Sequence, residues 1–249
     1  MIKSFLLALQ FLSIIPLKIK NVDDKSVARS LIYFPLAGLF LGLLLAGIYK
    51  LLLILNFPTF ASCIILVVTL IILTGGLHLD GLSDTADAFL SRKNRDKMLE
   101  IMRDSHAGAM GVLSIICVLL LKIAFLYSIA VQFRPVALVL ACVLSRWAMV
   151  LPVYLFGYAR AEGKAKAYIQ GVNLKILLLA TGLTFACVIF FWQLKGLYIF
   201  VIVAAFTYLA GKFINKKLSG ITGDTLGALC ELNELVVLLT VFFLTRLTF

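Results

Sequence analysis

The chain has 249 residues, of which 63% are hydrophobic and 14% are charged, and its mean hydropathy is +1.09. A soluble domain of this length cannot bury so much apolar surface, so the composition excludes a soluble globular protein. The formal net charge of +11 would suggest nucleic-acid binding in a soluble protein. In so apolar a chain, the positive charge instead indicates that Lys and Arg are concentrated in cytoplasmic loops. No nucleic-acid partner is predicted. We predict an all-α, polytopic integral membrane protein that contacts the lipid bilayer.

The apolar runs, taken in chain order, predict the membrane spans. Residues 2–17 are apolar but short for a span, so they form either a transmembrane helix or a re-entrant or interfacial one. In the first full span, Gly38 and Gly42 form a small-xxx-small pair that allows close helix packing. About seven transmembrane helices are predicted after the short N-terminal helix, at 31–55, 59–79, 109–131, 136–157, 176–194, 197–211 and 235–247.

Long polar segments alternate with short turns, such as Lys195–Gly196, between these spans. The long segments hold 16 Lys and Arg residues, whereas the opposite side has only Arg134, Lys195 and Arg246. The positive-inside rule therefore places the long segments in the cytoplasm, as loops of a single transmembrane domain that covers 1–249. All twelve acidic residues fall on that side, with Glu234 at the membrane edge. The four predicted loops are 18–29, 80–106, 158–175 and 212–234.

The segment from Gly75 to Gly111 holds six of the twelve acidic residues. Asp80, Asp84 and Asp87 are spaced by four and then three residues, which places them on one face of an α-helix. Three carboxylates on one face repel each other unless a cation lies among them, and hard oxygen ligands suit Mg²⁺, Mn²⁺ or Ca²⁺. The alternative is a solvated acidic helix face.

A second motif, Gly-Ile-Thr-Gly-Asp-Thr-Leu-Gly, begins at Gly220. Backbone N–H groups of a glycine-rich turn can cradle phosphate oxygens, and an aspartate there can hold the Mg²⁺ of that phosphate. Asp224 is the candidate metal ligand. The alternative is a connector between helices in which Asp224 is an N-cap. The candidate substrate-binding residues of this segment are Gly220, Thr222, Gly223, Thr225 and Glu231.

Arg146 and Lys122 are basic residues inside apolar spans. Arg146 is near the middle of its span, where a charge is costly and usually faces a cavity or a partner. We predict that Arg146 binds a phosphate or pairs with one of the aspartates, and a structural ion pair is the alternative. Lys122 is interpreted as structural, because its long stem can snorkel.

Further charged residues lie in the predicted cytoplasmic loops. Arg103 is a candidate phosphate contact, and Asp104 is a candidate metal ligand or base. His106 could transfer a proton, but a lone histidine at a membrane edge is more often solvated. Three basic residues of the next loop suit an anionic substrate, although anchoring by the positive-inside rule explains them equally well: Arg160, Lys164 and Lys166.

Six stretches of the sequence resemble the cobalamin synthase family, whose members are adenosylcobinamide-GDP ribazoletransferases or cobalamin-5′-phosphate synthases. The resemblance runs along most of the chain. It is carried by FLSIIPL at 11–17, FPLAGLFLG at 34–42, GGLHLDGLSDTADAF at 75–89, EIMRDSHAGAMGVL at 100–113, SRWAMVLPVYLFGYARAEGKAKAY at 145–168 and LSGITGDTLGALCELNE at 218–234. Ser219 departs from the pattern, which has a glycine there.

The resemblance implies a Mg²⁺-dependent transferase of the bacterial inner membrane, with its active site facing the cytoplasm. It would join α-ribazole or its 5′-phosphate to adenosylcobinamide-GDP, giving adenosylcobalamin or its 5′-phosphate and GMP, a late step of cobalamin (vitamin B12) biosynthesis. A homo-oligomer or an association with other corrinoid-assembly enzymes stays open.

The resemblance also implies roles for the candidate residues. Mg²⁺ held by Asp80, Asp84 and Asp87 would bridge the diphosphate and offset its developing charge. Asp104 or Asp224 would position a second metal ion or take the proton of the attacking hydroxyl. The phosphate oxygens would be held by Arg103 and Arg146.

Three other classes of protein fit parts of the pattern. CDP-alcohol phosphotransferases use an Asp-x-x-Asp-Gly cluster, whereas here glycine follows the first aspartate directly, at Asp80-Gly81. Prenyltransferases with aspartate-rich motifs match less well. An ion-coupled transporter would have acidic residues near the bilayer midplane, and we expect none there.

Overall fold

The computed structural model describes residues 2–20, 22–160, 162–163 and 165–246. In these ranges the only extended pairing is one isolated bridge between Tyr158 and Ile221. The predicted all-α class is thereby confirmed. The helices are α1 (Ile2–Leu12), α2 (Asp24–Ser30), α3 (Phe34–Ile54), α4 (Thr59–Thr74), α5 (Leu77–Leu90), α6 (Arg95–Ile101), α7 (Ala109–Ser128), α8 (Arg134–Leu155), α9 (Lys166–Gly171), α10 (Leu174–Leu218) and α11 (Gly223–Arg246), with 3₁₀ turns at Leu31–Tyr33 and Val131–Phe133.

Within the described ranges, five helical stretches are long and apolar enough to cross a membrane, and they confirm a polytopic membrane protein. They are Asp24–Ile54, Ala109–Ser128, Val131–Leu155, Leu174–Leu218 and Gly223–Arg246. A sixth span arises if α4 and α5, which meet at 90°, count as one broken span. The bend lies at Gly75 and Gly76, both at positive φ, a conformation that glycine adopts without steric cost.

Helix α10 is a hairpin of two arms. Trp192 and Gln193 have non-helical backbone angles, and the Phe185 and Phe200 rings lie 4.5 Å apart between centroids. In a straight helix those residues would be about 22 Å apart, so the chain folds back on itself. The predicted hairpin is correct, but its turn precedes Lys195–Gly196, because Gly196 lies in the second arm and packs on Val188. Counting its two arms separately brings the spans to seven.

The N-terminal helix is shorter than the predicted segment 2–17. Helix α1 ends at Leu12 and falls below the length of a span. The chain after it packs on the end of α4, where the Ile14 N–H donates to the Leu73 carbonyl at 2.8 Å. Of the two predicted forms, the structure favours a helix that does not cross the membrane.

The close packing predicted for Gly38 and Gly42 is confirmed at the contact between α3 and α8. A Cβ atom on Gly38 would lie 2.2 Å from the Cys142 carbonyl oxygen, and one on Gly42 would lie 2.7 Å from the Val139 Cα. These neighbours are backbone atoms, which cannot move aside as a side chain can. The missing side chains therefore set the spacing of the two helices.

Replacing Gly38 by alanine is expected to destabilise the protein by about 1–3 kcal/mol, because the added methyl group forces the two helices apart. Thermal unfolding in detergent measures the change. Gly47→Ala is the matched control on the same helix, since no atom lies within 4 Å of its Cβ position. Equal melting temperatures for the two variants would contradict the packing role of Gly38.

Two of the predicted cytoplasmic loops are largely helical. The predicted loop 80–106 contains most of α5 and all of α6, and 212–234 contains the end of α10 and the start of α11. Polar residues suggested loops, but these helices are held by packing against the bundle. The predicted last span, 235–247, is thus the second half of α11, and residue 247 lies outside the described ranges.

Candidate active site

Helices α5 and α11 approach each other at two glycines. A Cβ on Gly81 would lie 2.7 Å from the Asp224 carbonyl oxygen, and one on Gly227 would lie 3.2 Å from the His78 Cα. Such close contact requires residues without side chains on both helices. The first turn of α11 is therefore fixed against the aspartates of α5.

This contact gathers four carboxylates at one end of the bundle. Asp84 interacts electrostatically with Asp80, Asp87 and Asp224. Asp80 is exposed, whereas Asp84 and Asp224 are half-buried. The structure thus brings together the two acidic motifs, which are about 140 residues apart in the sequence. Like charges in one place favour a bound cation or an arginine.

Arg160 supplies a positive charge to this cluster. Its Nη2 donates to the Asp224 Oδ2 at 2.6 Å, and its side chain is 12% exposed. The sequence suggested Arg160 only as one of several contacts for an anion. Its pairing with Asp224 had no sequence signal, because the two residues lie on separate segments.

Hydrogen bonds hold the Arg160 segment in place. The Ala159 N–H donates to the Ile221 carbonyl, and the Ile221 N–H donates to the Gly157 carbonyl, both at 2.9 Å. Arg95 adds a bond from its Nη2 to the Ala159 carbonyl at 2.8 Å. The site therefore depends on backbone pairing between segments that the sequence treated as separate loops.

Asp87 caps the N-terminus of α7. Its two carboxylate oxygens accept from the N–H groups of Gly108 at 2.7 Å and Gly111 at 2.8 Å. A Cβ on either glycine would come within 2.4 Å of that carboxylate. Asp87 therefore has a structural role, because its carboxylate holds the N-terminus of α7 against α5. A metal-binding role for Asp87 stays a prediction.

The glycine-rich motif forms the N-terminal cap of α11. The Thr222 N–H donates to the Thr225 Oγ1 at 2.9 Å, and the Thr225 N–H donates to the Thr222 Oγ1 at 3.1 Å, with both residues fully buried. The N-cap is therefore Thr222 and not Asp224. This reciprocal bonding resembles a capping box.

The preceding turn fits closely against the Arg160 segment. A Cβ on Gly220, whose φ is +147°, would lie 2.7 Å from the Ala159 nitrogen. Ser219 also has a positive φ of 54°, which explains why the family pattern has glycine there. Gly223 is half-exposed at the start of α11. Phosphate binding by Gly220, Thr222, Gly223 and Thr225 stays a prediction, and the two buried threonines are already bonded to each other.

Residues 103–106 form an exposed corner. The Asp104 Oδ1 lies 2.6 Å from the His106 Nδ1, and this hydrogen bond lowers the pKa of Asp104 below its usual value. His106 pairs with Asp104, and its side chain is 90% exposed to solvent, as the solvated alternative predicted. Arg103 is exposed, and no described contact joins this corner to the aspartates of α5. The predicted roles of Arg103 and Asp104 stay predictions.

A separate polar cluster lies inside the bundle. The Lys122 Nζ donates to the Glu231 Oε2 at 2.6 Å and to the Glu234 Oε2 at 2.5 Å. The Arg146 guanidinium donates to the Glu234 Oε1 and to the Ser145 Oγ. The four charged side chains are at most 8% exposed, and each of them is compensated by a buried side chain of opposite charge.

This ion-pair cluster corrects three predictions. Arg146 forms the structural ion pair that was the alternative, with a glutamate and not with an aspartate. Lys122 lies in the same structural cluster, but it is buried rather than snorkelling. Glu231 and Glu234 lie inside the bundle and not at the cytoplasmic face, and Glu234 is at the middle of α11. An ion-coupled transporter is disfavoured by the sequence because no acidic residue is expected near the bilayer midplane. That expectation is wrong for Glu231 and Glu234. Phosphate contact by Arg146 or Glu231 is not supported by this arrangement.

In the described ranges no group of three His, Cys, Asp or Glu side chains is arranged to hold a metal ion. Mg²⁺, however, is usually held by one or two carboxylates together with substrate phosphates. One or two of the neighbouring carboxylates of Asp80, Asp84 and Asp224 would be enough for that mode of binding. Mg²⁺ stays a prediction.

The fold and the site define a multi-pass membrane protein with an acidic site at one end of its helical bundle. A family model described as cobalamin-5-phosphate synthase matches residues 4–242. The chain therefore belongs to that family. Its curated relatives include proteins named adenosylcobinamide-GDP ribazoletransferase.

Three of these relatives match over nearly their full length. The protein of Desulforamulus reducens is 42% identical, with 94% of each chain covered. That of Clostridioides difficile is 36% identical over 99% of this chain and 100% of its own, and that of Acetivibrio thermocellus is 37% identical over 98% and 99%. No solved structure matches the chain.

Proposed function

We propose that this chain is an adenosylcobinamide-GDP ribazoletransferase of cobalamin biosynthesis. It joins α-ribazole or its 5′-phosphate to adenosylcobinamide-GDP and releases GMP. Family membership over residues 4–242 and the names of the relatives support the transferase class. The observation that carries the proposal is the carboxylate cluster of Asp80, Asp84 and Asp224 with Arg160 bonded to it.

The reaction requires one bond to form and one to break at phosphorus. A ribose hydroxyl oxygen of α-ribazole attacks the phosphate next to the cobinamide arm, and the bond from that phosphorus to the oxygen of GMP breaks. The hydroxyl proton must pass to a base. We assign this role to Asp224, whose Oδ2 is bonded to Arg160 while no described partner binds its Oδ1.

Charge neutralisation requires cations at the diphosphate. Arg160 lies beside Asp224 and can hold a phosphate oxygen through its guanidinium. Arg146 is excluded from this role because it is fully buried and paired with Glu234. Asp80 and Asp84 would hold Mg²⁺. The ion would supply positive charge to the diphosphate as GMP departs.

The location proposed is the bacterial inner membrane, with the site facing the cytoplasm. The positive charge of the segments around the site supports that orientation. The segments 91–94, 157–160 and 219–222 follow α5, α8 and α10. The bonds of Arg95 to Leu218 and Ala159 bring these segments together on one side of the bundle.

The first experiment is GMP release by purified protein in detergent, given adenosylcobinamide-GDP and either form of α-ribazole. We expect release that needs both substrates and Mg²⁺ and that stops with EDTA. Omitting each substrate in turn is the control. If protein that still unfolds cooperatively released no GMP with either form of α-ribazole, the proposal would be overturned. Release that persists in EDTA would contradict the requirement for Mg²⁺ but not the transferase activity.

A further inference from the structure

A polar crevice lies between α2 and α9, away from the carboxylate cluster. Its cavity volume is about 510 Å³, and its walls include Asp24, Lys25 and Arg29 of α2 and Gln170 of α9. The two short helices pack closely, since a Cβ on Gly171, which lines the crevice, would lie 2.4 Å from the Ala28 Cβ. The crevice is therefore built by packing and is more than a gap between loops.

The crevice is suited to an anion. Lys25 and Arg29 are exposed in it, and within the described ranges neither side chain makes a hydrogen bond or an ion pair. Asn173 also lines it and caps the N-terminus of α10, where the helix dipole is positive. Asp24 is the one carboxylate on its wall, so positive charge exceeds negative charge.

An apolar groove continues from the crevice along the side of the bundle. Its cavity volume is about 500 Å³, and Arg29 lines both cavities. Beyond Arg29 its walls are mainly apolar, with Ile32 and Leu36 on one side and Leu179 and Leu183 on the other. Leu179 and Leu183 are about one turn apart on α10, so the groove runs about 6 Å along that helix. Its apolar walls suit the upper part of an acyl chain, next to the headgroup.

We propose that these two joined cavities bind an anionic phospholipid of the surrounding membrane. The phosphate lies against Arg29 and Lys25, and one acyl chain follows the groove past Leu36 and Leu183. A soluble phosphate would leave the apolar groove empty, and the choline group of a zwitterionic lipid would meet the two cations. The proposal does not rest on the transferase function, because none of these residues belongs to the carboxylate cluster.

The test is native mass spectrometry of the purified protein with equal amounts of phosphatidylglycerol and phosphatidylcholine. We expect phosphatidylglycerol to be retained preferentially. Arg29→Ala should reduce that retention about tenfold, because the variant loses one charge-assisted hydrogen bond to the phosphate. Arg29→Lys keeps the charge and should restore part of it. Arg29 is exposed, so folding should not change, and size-exclusion chromatography and thermal unfolding check this.

The matched control is Lys216→Ala, an exposed basic residue at the end of α10 far along the chain from the crevice. Unchanged lipid retention in that variant supports a defined site. An equal loss in both variants would indicate general surface charge and would overturn the proposal. Displacement of the lipid by inorganic phosphate alone, or equal retention of phosphatidylcholine, would overturn it as well.

Discussion

Replacing Asp84 by alanine is expected to lower the rate of GMP release by about 100-fold to 10,000-fold, without loss of folded protein. Asp84 lies half-buried among Asp80, Asp224 and Asp87, and it interacts with all three. Its removal relieves repulsion between like charges, so the melting temperature should stay the same or rise. A lower rate in a protein that is at least as stable distinguishes a functional carboxylate from a structural one.

The matched control is Asp96→Ala, in the same acidic segment. The Asp96 side chain is 88% exposed and pairs with Arg95 at the surface, so its removal should leave the rate near that of the unchanged protein. Rates are measured with both substrates at saturating concentration. If Asp84→Ala retained a rate similar to that of the control, Asp84 would have no part in the reaction.

Replacing Lys122 by methionine is expected to destabilise the bundle by about 3–5 kcal/mol, because it leaves two buried carboxylates with only one cation. The intact ion-pair cluster has two positive and two negative side chains, Lys122 and Arg146 against Glu231 and Glu234. The double variant Lys122→Met, Glu231→Gln restores equal numbers of charges. It should therefore be more stable than the single variant, as measured by unfolding in detergent.

Lys97→Met provides the comparison at the surface. Lys97 pairs with Glu100 at 2.7 Å, with about half of its side chain exposed, so its loss should change the stability little. If the single and double variants at Lys122 were equally unstable, the destabilisation would come from lost packing volume and not from an unpaired charge.

Local sequence patterns predicted much of the fold. Long apolar runs predicted the spans, because a bilayer requires about 20 apolar residues for each crossing. The spacing of Gly38 and Gly42 predicted a close helix contact, since residues four apart lie on one face of a helix. The turn in α10 was placed too late, because Gly196 was taken to form the turn when it instead allows the two arms to touch.

The sequence by itself determined the class of protein, the hairpin of α10 and the shared face of the aspartates, because these follow from composition and from periodicity within one segment. Only the tertiary structure decided the partners of the charged residues. Arg160 meets Asp224 through backbone pairing at Ile221, and Arg146 meets Glu234 across two packed helices. Contacts between distant segments depend on which helix faces pack together. Buried charges must find partners on other helices of the bundle, so their pairing cannot be derived from any one stretch of sequence.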